Sequence, residues 1–245
     1  MSRFFVDAAS VGSDRIYITD KGDIKHIKNV LRLKVGDEIE VSDSSEWEYF
    51  CLIDSIDSDE VQAVIRDKQK FAGEPDLRVT LFQGVPKGSK MDDIVRKCTE
   101  LGTSTIVPVF MDRSVVKDNG SYGKKVERMR TIAAEASKQC QRGIVPEIGD
   151  PVKIKDLPGI LGEYELILLP YENEEGCTIK DSLKAIESDV RNVAVIIGPE
   201  GGFSDAEVEI LTKAGAKSVS LGKTILRTET AGMAAIAMIM YELEL

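Results

Sequence analysis

Residues 195–204 read VIIGPEGGFS. A β-branched apolar run ends in a turn holding three glycines, and a charged segment follows. The pattern is a strand, a tight reversal and a helix. Gly201 and Gly202 permit positive φ, and SDAE places Ser204 at the N-cap with Glu207 three residues on, a capping box. Turns of this kind, at the carboxyl ends of parallel strands, are where nucleotides bind. Glu200 is the odd residue, a carboxylate inside a turn otherwise built to receive an anion. Two phosphate fingerprints fail here. The glycines Gly198, Gly201 and Gly202 do not space as G-x-G-x-x-G, and Pro199 removes an amide donor. The later LGKT has Lys217 where a P-loop needs its first glycine. Glu200 would repel a pyrophosphate, so ATP and NAD fit poorly.

The segments around this turn alternate. RVTLFQGV, TSTIVPVF, YELILLP, VAVIIG and SVSLG read as strands. Between them lie helical patterns. In SKMDDIVRKCTELG, Met91, Ile94, Val95, Cys98 and Leu101 share a face, with Ser89 as N-cap and Gly102 as stop. A second helix over residues 124–141 turns Val126, Met129, Ile132, Ala133, Ala136 and Cys140 inward. Further helices are expected at IKDSLKAIES, SDAEVEILTKAG and TETAGMAAIAMIMYEL. The alternation predicts an α/β fold with a mostly parallel sheet covered on both faces. Ala231 to Met240 is apolar nearly all round and rich in small residues, so this helix is buried inside the domain or against another subunit.

The first 70 residues differ. RIYITD, DEIEVSD, EYFCLIDSI and EVQAVIRD are short strands, and Ile24, Ile27, Val30 and Leu31 mark one helix between the first two. This predicts a small β-barrel. FAGEPD, residues 71–76, is linker-like, which divides the chain into domains 1–72 and 73–245.

The 245 residues are 42% hydrophobic and 30% charged, an ordinary globular composition. No apolar run is long enough to span a membrane, and the first residues lack a signal peptide, so a cytoplasmic protein is expected. Cys51, Cys98, Cys140 and Cys177 are far apart, form no CxxC pair and read as reduced thiols. With His26 as the one histidine, neither a zinc site nor a Ser-His-Asp hydrolase is supported, and no metal is expected. Net charge is −10. It is uneven: −5 over residues 1–70, −2 over 71–76, +6 over 77–145 and −9 over 146–245. The central basic block can meet phosphates, or be no more than solvated helix faces.

Three consecutive strands end in LLPYENEEG, IIGPEGGFS and SLGKTILRTET. LRTET sets Arg227 and Glu229 at the lip of this loop cluster, as a structural ion pair or as chemistry. Together the loops resemble the two C-terminal motifs of SPOUT methyltransferases. HIKNVLRLKVGD, KGSKMDDIVRKCTELGTSTIVPV and ASKQCQRGIVPEI extend the resemblance over nearly the whole chain, to the RsmE family of bacterial enzymes that methylate uridine N3 in small-subunit (16S) ribosomal RNA.

The resemblance implies a PUA-like RNA-binding barrel, a deep trefoil knot in the second domain, a homodimer and S-adenosylmethionine as cofactor. That cofactor carries no phosphate but has a ribose and a sulfonium cation, which suits a turn containing Glu200. The implied lining is Leu169, Pro170, Gly198, Pro199, Glu200, Gly201, Gly202, Leu221, Gly222, Ile225, Leu226, Arg227 and Thr230. Glu229 is expected to accept or position the N3 proton, with Arg227 or Arg3 offsetting charge on uracil. Arg3, Lys25, His26, Lys28, Arg32 and Lys34 in the first domain, and Lys87, Lys90, Lys138 and Arg142 in the second, are expected at RNA. The rival readings are a ribose 2′-O-methyltransferase and a non-catalytic ribosome-assembly factor.

Overall fold

The apolar period changes near residue 75, and the fold changes with it. The computed structural model describes residues 3–71, 73–117, 120–186 and 189–244. Contacts divide the chain into two compact units, Met1–Glu74 with Ser137–Val145, and Pro75–Ala136 with Pro146–Leu245.

The first unit contains β1 (Arg3–Phe5), β2 (Arg15–Ile18), α1 (Lys21–Lys25), β3 (Glu38–Ser42), β4 (Trp47–Ile56) and β5 (Val61–Lys70). They form one sheet in the order β1-β3-β4-β5-β2, antiparallel except for β1 on β3. The two-residue period of each strand turns one set of side chains onto a common core: Phe4, Ile16, Ile39, Val41, Ile53 and Val61 among them. Each such side chain contributes about 1.5–3 kcal/mol when fully buried. The Asp20 carboxylate caps α1 by accepting the Asp23 amide at 2.8 Å. The expected single helix face does not hold to its end. His26–Leu31 continue as a π-helical turn, whose wider repeat rotates Val30 out to 64% exposure while Ile24 and Ile27 stay buried.

Sequence spacing gave no sign that residues 137–145 belong to this unit. The Ser42 hydroxyl donates to the Gly143 carbonyl at 2.6 Å, and Glu74 accepts the amides of Gly143 and Ile144 at 2.7 and 3.1 Å. A Cβ on Gly143 would fall 2.3 Å from the Phe71 ring, so only glycine fits there.

The second unit carries, in chain order, β6 (Arg78–Gly84), α2 (Lys90–Glu100), β7 (Thr105–Phe110), α3 (Gly123–Gln139, which ends in the first unit's segment), β8 (Glu147–Ile148), β9 (Val152–Lys153), α4 (Pro158–Leu161), β10 (Leu166–Pro170), α5 (Ile179–Lys184), β11 (Asn192–Ile197), α6 (Asp205–Lys213), β12 (Lys217–Val219) and α7 (Thr228–Leu243). Every strand pairing is parallel, in the order β12-β10-β11-β6-β7-β8, with β9 also on β7. The α/β expectation holds. Strands buried on both faces read as continuous apolar runs, which is why the alternation of elements was visible and the alternation of faces was not. Phe82, Ile167, Leu169, Ala194 and Ile196 pack toward α4 and α6, while α2 and α5 both lie against α7.

Two local expectations change. Ser89 occupies the N-cap of α2 without a side-chain capping bond. Cys140 is exposed, because α3 stops at Gln139, one residue short of placing it inward. On α7, Gly232, Ala235, Ile236, Ile239 and Met240 are buried, while Ala237, Met238 and Tyr241 form an exposed apolar face, so of the two expected placements the first holds for part of the helix only. The capping box on α6 is present, and Glu207 reaches further than a cap. It accepts the Ser204 amide at 2.7 Å and the Asp112 amide at 2.8 Å, tying the segment after β7 to the GPEGG turn. All four cysteines are free. Among the described residues no helix is long and apolar enough to cross a membrane.

Candidate cofactor pocket and its charged lip

β12, β10 and β11 are neighbours in the sheet, so their following loops meet at one edge. There they enclose a cavity of about 670 Å³. One wall is Gly198 to Glu200 with Gly202 and Phe203; another is Ser220 to Thr228; Pro170, Tyr171 and Glu172 close a third side.

Buried polar bonds hold these walls together. The Thr228 hydroxyl donates to the Gly198 carbonyl at 2.6 Å. Gln83 Nε2 donates to Thr228 Oγ1 at 2.9 Å and to the Gly84 carbonyl at 3.1 Å. Gln83 is fully buried and Thr228 nearly so. The end of β6, the GPEGG turn and the first residue of α7 are thus one network. Close backbone packing completes it: a Cβ on Gly84 would fall 2.6 Å from the Pro199 nitrogen. Gly202, at φ +65°, donates its amide to the Pro199 carbonyl at 2.9 Å and closes the turn.

At the lip, Lys90 from the first turn of α2 sits 3.0 Å from Glu200 and 3.0 Å from Glu229. Glu200 also accepts the Lys87 amide at 3.3 Å. Contact with Glu200 first, and Glu229 second, raises the Lys90 pKa above its ordinary value. For Glu200 and Glu229, partial burial pushes the pKa up, but backbone amide bonding and Lys90 outweigh it, and both carboxyls lie below their ordinary value. The cluster is therefore two carboxylates and one ammonium at neutral pH.

The structure brings together most of the cofactor residues read from sequence. Pro170, Gly198, Pro199, Glu200, Gly202, Leu221, Gly222, Ile225, Leu226 and Arg227 line the cavity. Leu169 does not, being fully buried in the core. Gly201 turns toward Arg113, which donates to its carbonyl at 3.1 Å, and Thr230 is exposed outside the lining. Of the two readings of Arg227 and Glu229, the ion pair between them is not the one formed: Glu229 pairs with Lys90.

The RNA candidates separate into two groups. Lys25, His26, Lys28, Arg32, Lys34 and Lys87 are exposed. Arg3 is committed to Glu48 and Glu40, at 2.5 and 3.1 Å, and to the carbonyls of Gln141 and Arg142. Arg142 is bound to Glu74 at 2.9 Å, and Lys138 pairs with Asp23 and lies over the Phe4 ring. Their charges are neutralised within the first unit and are not offered outward. Lys90 lines the cavity instead of standing free for phosphate. Gln83, Gly84, Tyr171 and Glu172 were not singled out from sequence. A polar residue and a glycine ending the apolar strand RVTLFQG were the available signal.

The cavity suits S-adenosylmethionine on its own geometry. Its glycine wall packs backbone to backbone, Pro199 offers no amide, and carboxylates rather than a phosphate cradle stand at its edge. The depressed carboxyls stabilise the fold above the ordinary glutamate value, a contribution lost as pH falls through their lowered values. The raised Lys90 contributes below the ordinary lysine value and is lost as pH rises through its raised one. Carboxyl-carbon NMR titration should give Glu200 and Glu229 midpoints below the ordinary glutamate value, and both should rise in Lys90→Met. Midpoints that stay put in the variant contradict the cluster.

The comparisons with known proteins agree with this geometry. Residues 73–240 match the family model described as the RNA methyltransferase domain, and residues 18–66 match the RNA methyltransferase PUA domain. Ribosomal RNA small subunit methyltransferase E of Bacillus subtilis is 32% identical, covering 100% of this chain and 98% of its own. The protein of the same name from Aquifex aeolicus is 35% identical over 92% of this chain and 94% of its own. The crystal structure of that methyltransferase from Neisseria gonorrhoeae, bound to S-adenosyl methionine, superposes with a TM-score of 0.86 at 26% identity, covering 98% of this chain and 97% of that one. From its PUA domain to the helix that closes the pocket, the chain belongs to the ribosomal RNA small subunit methyltransferase E family.

Proposed function

We propose that this protein transfers a methyl group from S-adenosylmethionine to N3 of one uridine in small-subunit ribosomal RNA. The observation that carries this reading is the cavity at the ends of β10, β11 and β12 with the Lys90–Glu200–Glu229 cluster at its lip. Family membership supports it: the relatives are named small-subunit ribosomal RNA methyltransferases, and one is solved with S-adenosyl methionine bound.

Pro170, the Gly198–Gly202 turn and the backbone from Leu221 to Arg227 would hold the cofactor, which supplies an electrophilic methyl group on a sulfonium. Uridine N3 is a poor nucleophile until its proton leaves, so the chain must orient the base and favour that loss. Glu229, kept ionised beside Lys90, accepts the N3–H and fixes the base. Arg227, on the cavity wall, offsets the charge that grows on the uracil oxygens. Arg3 is excluded from that task by its two glutamates. The target base must be unpaired or flipped out. Lys25, Lys28, Arg32, Lys34 and Lys87 would meet phosphates and set the register, with His26 beside them.

The same reading includes domains over 1–72 and 73–245, the trefoil knot, a cytoplasmic location and an assembled small subunit as substrate. It also includes a homodimer, supported by the open apolar face of Ala237, Met238 and Tyr241 on α7. Light scattering should return the mass of a dimer, and a concentration-independent monomer mass would remove that part. The chemistry is tested with labelled S-adenosylmethionine and small-subunit particles lacking the modification. Label should appear on uracil N3, and Glu229→Gln should slow transfer by about 10²-fold with cofactor affinity nearly unchanged. Label on ribose, or cofactor binding without transfer, contradicts the reading.

A further inference from the structure

We infer that Glu172 is the residue by which the cavity tells the charged methyl donor from its neutral product, an inference that rests on the function proposed above. The carboxylates at the cavity are not equivalent. Glu200 and Glu229 share Lys90, each at 3.0 Å, so their charge is already offset within the chain. Glu172 also lines the cavity, from the loop that follows β10, and is exposed to it. Among the described residues it has no ion pair and no hydrogen bond.

Its place is set by the turn opposite. Glu172 Oε1 lies 2.3 Å from where a Cβ on Gly202 would stand, so the missing side chain of Gly202 gives the carboxylate its room against the GPEGG backbone. The other charged groups lining the cavity, besides Lys90 and Glu200, are Lys87, Lys223 and Arg227. A cation entering this space meets three further positive side chains, with Arg227 partly offset by the charge of Glu229. Glu172 is the carboxylate left free to oppose them.

This has a consequence for turnover. On transfer the sulfur–methyl bond breaks with its electron pair staying on sulfur. The N3 pair forms the new bond, and the N3 proton, held by Glu229, passes to solvent. Sulfur passes from a cation to a neutral thioether. An interaction with Glu172 that holds the donor is therefore absent from the product, so the same carboxylate favours loading and release.

Calorimetry on the full chain, with S-adenosylmethionine and S-adenosylhomocysteine titrated separately, tests this. Glu172→Gln, which keeps the shape and removes the charge, should weaken the donor by about tenfold and the homocysteine product by less than about twofold. Glu175→Gln, an exposed neighbour on the same loop, should leave both unchanged. Equal weakening of both ligands would mean a ribose or structural contact and would overturn the inference, as would no weakening of either. If the wild-type protein binds neither ligand, the functional reading itself fails and takes the inference with it. Wild-type binding with an unchanged donor-to-product ratio in Glu172→Gln removes the inference alone.

Discussion

The bond from the Thr228 hydroxyl to the Gly198 carbonyl is the contact on which the rest of the site depends. It joins the first residue of α7 to the first residue of the GPEGG turn inside a buried core. Gln83 completes it from a third element, β6. A buried polar group left without its partner costs about 1–3 kcal/mol, so each member of this network holds the others in place. Gly84 is needed for the same reason, since a Cβ there would meet the Pro199 backbone. The cavity walls are in this sense a consequence of core packing, and the loops inherit the rigidity of the sheet.

Charge at the lip follows a different rule from charge at a phosphate site. Lys90 stands at the start of a helix, where an anion is usually welcome, yet it faces two carboxylates. The arrangement keeps Glu200 and Glu229 ionised while it cancels part of their field. That leaves Glu229 anionic and fixed, suited to orienting an N–H group. A carboxylate held below its ordinary value is a weak base at neutral pH, so its contribution is placement more than proton abstraction.

Much of this was legible in the sequence, and the reasons are physical. Runs such as VAVIIG and LILLP announce strands buried on both faces, and SDAE announces a helix start, because burial and capping depend on local residue types. The turn of GPEGG and its unsuitability for phosphate followed from Pro199 and Glu200 alone. What escaped was set by contacts across the chain. Nothing near Gly143 indicates that Phe71 fills the space above it, and nothing near Lys90 points to Glu229, which is 139 positions away. Arg3 and Arg142 looked like free cations because their glutamate partners lie elsewhere in the sequence. The π-helical turn at His26–Leu31 shifted Val30 outward against a regular helical count.

The cavity walled by the GPEGG turn, and held by the packing of β6 against it, is the place for S-adenosylmethionine. The most direct measurement is calorimetric titration of that ligand into the wild-type chain and into Gly84→Val, whose side chain would press on the Pro199 backbone. Saturable binding of one ligand per chain is expected, lost or sharply weakened in the variant. A wild-type chain that binds none, or a folded variant that binds as the wild type does, would contradict it.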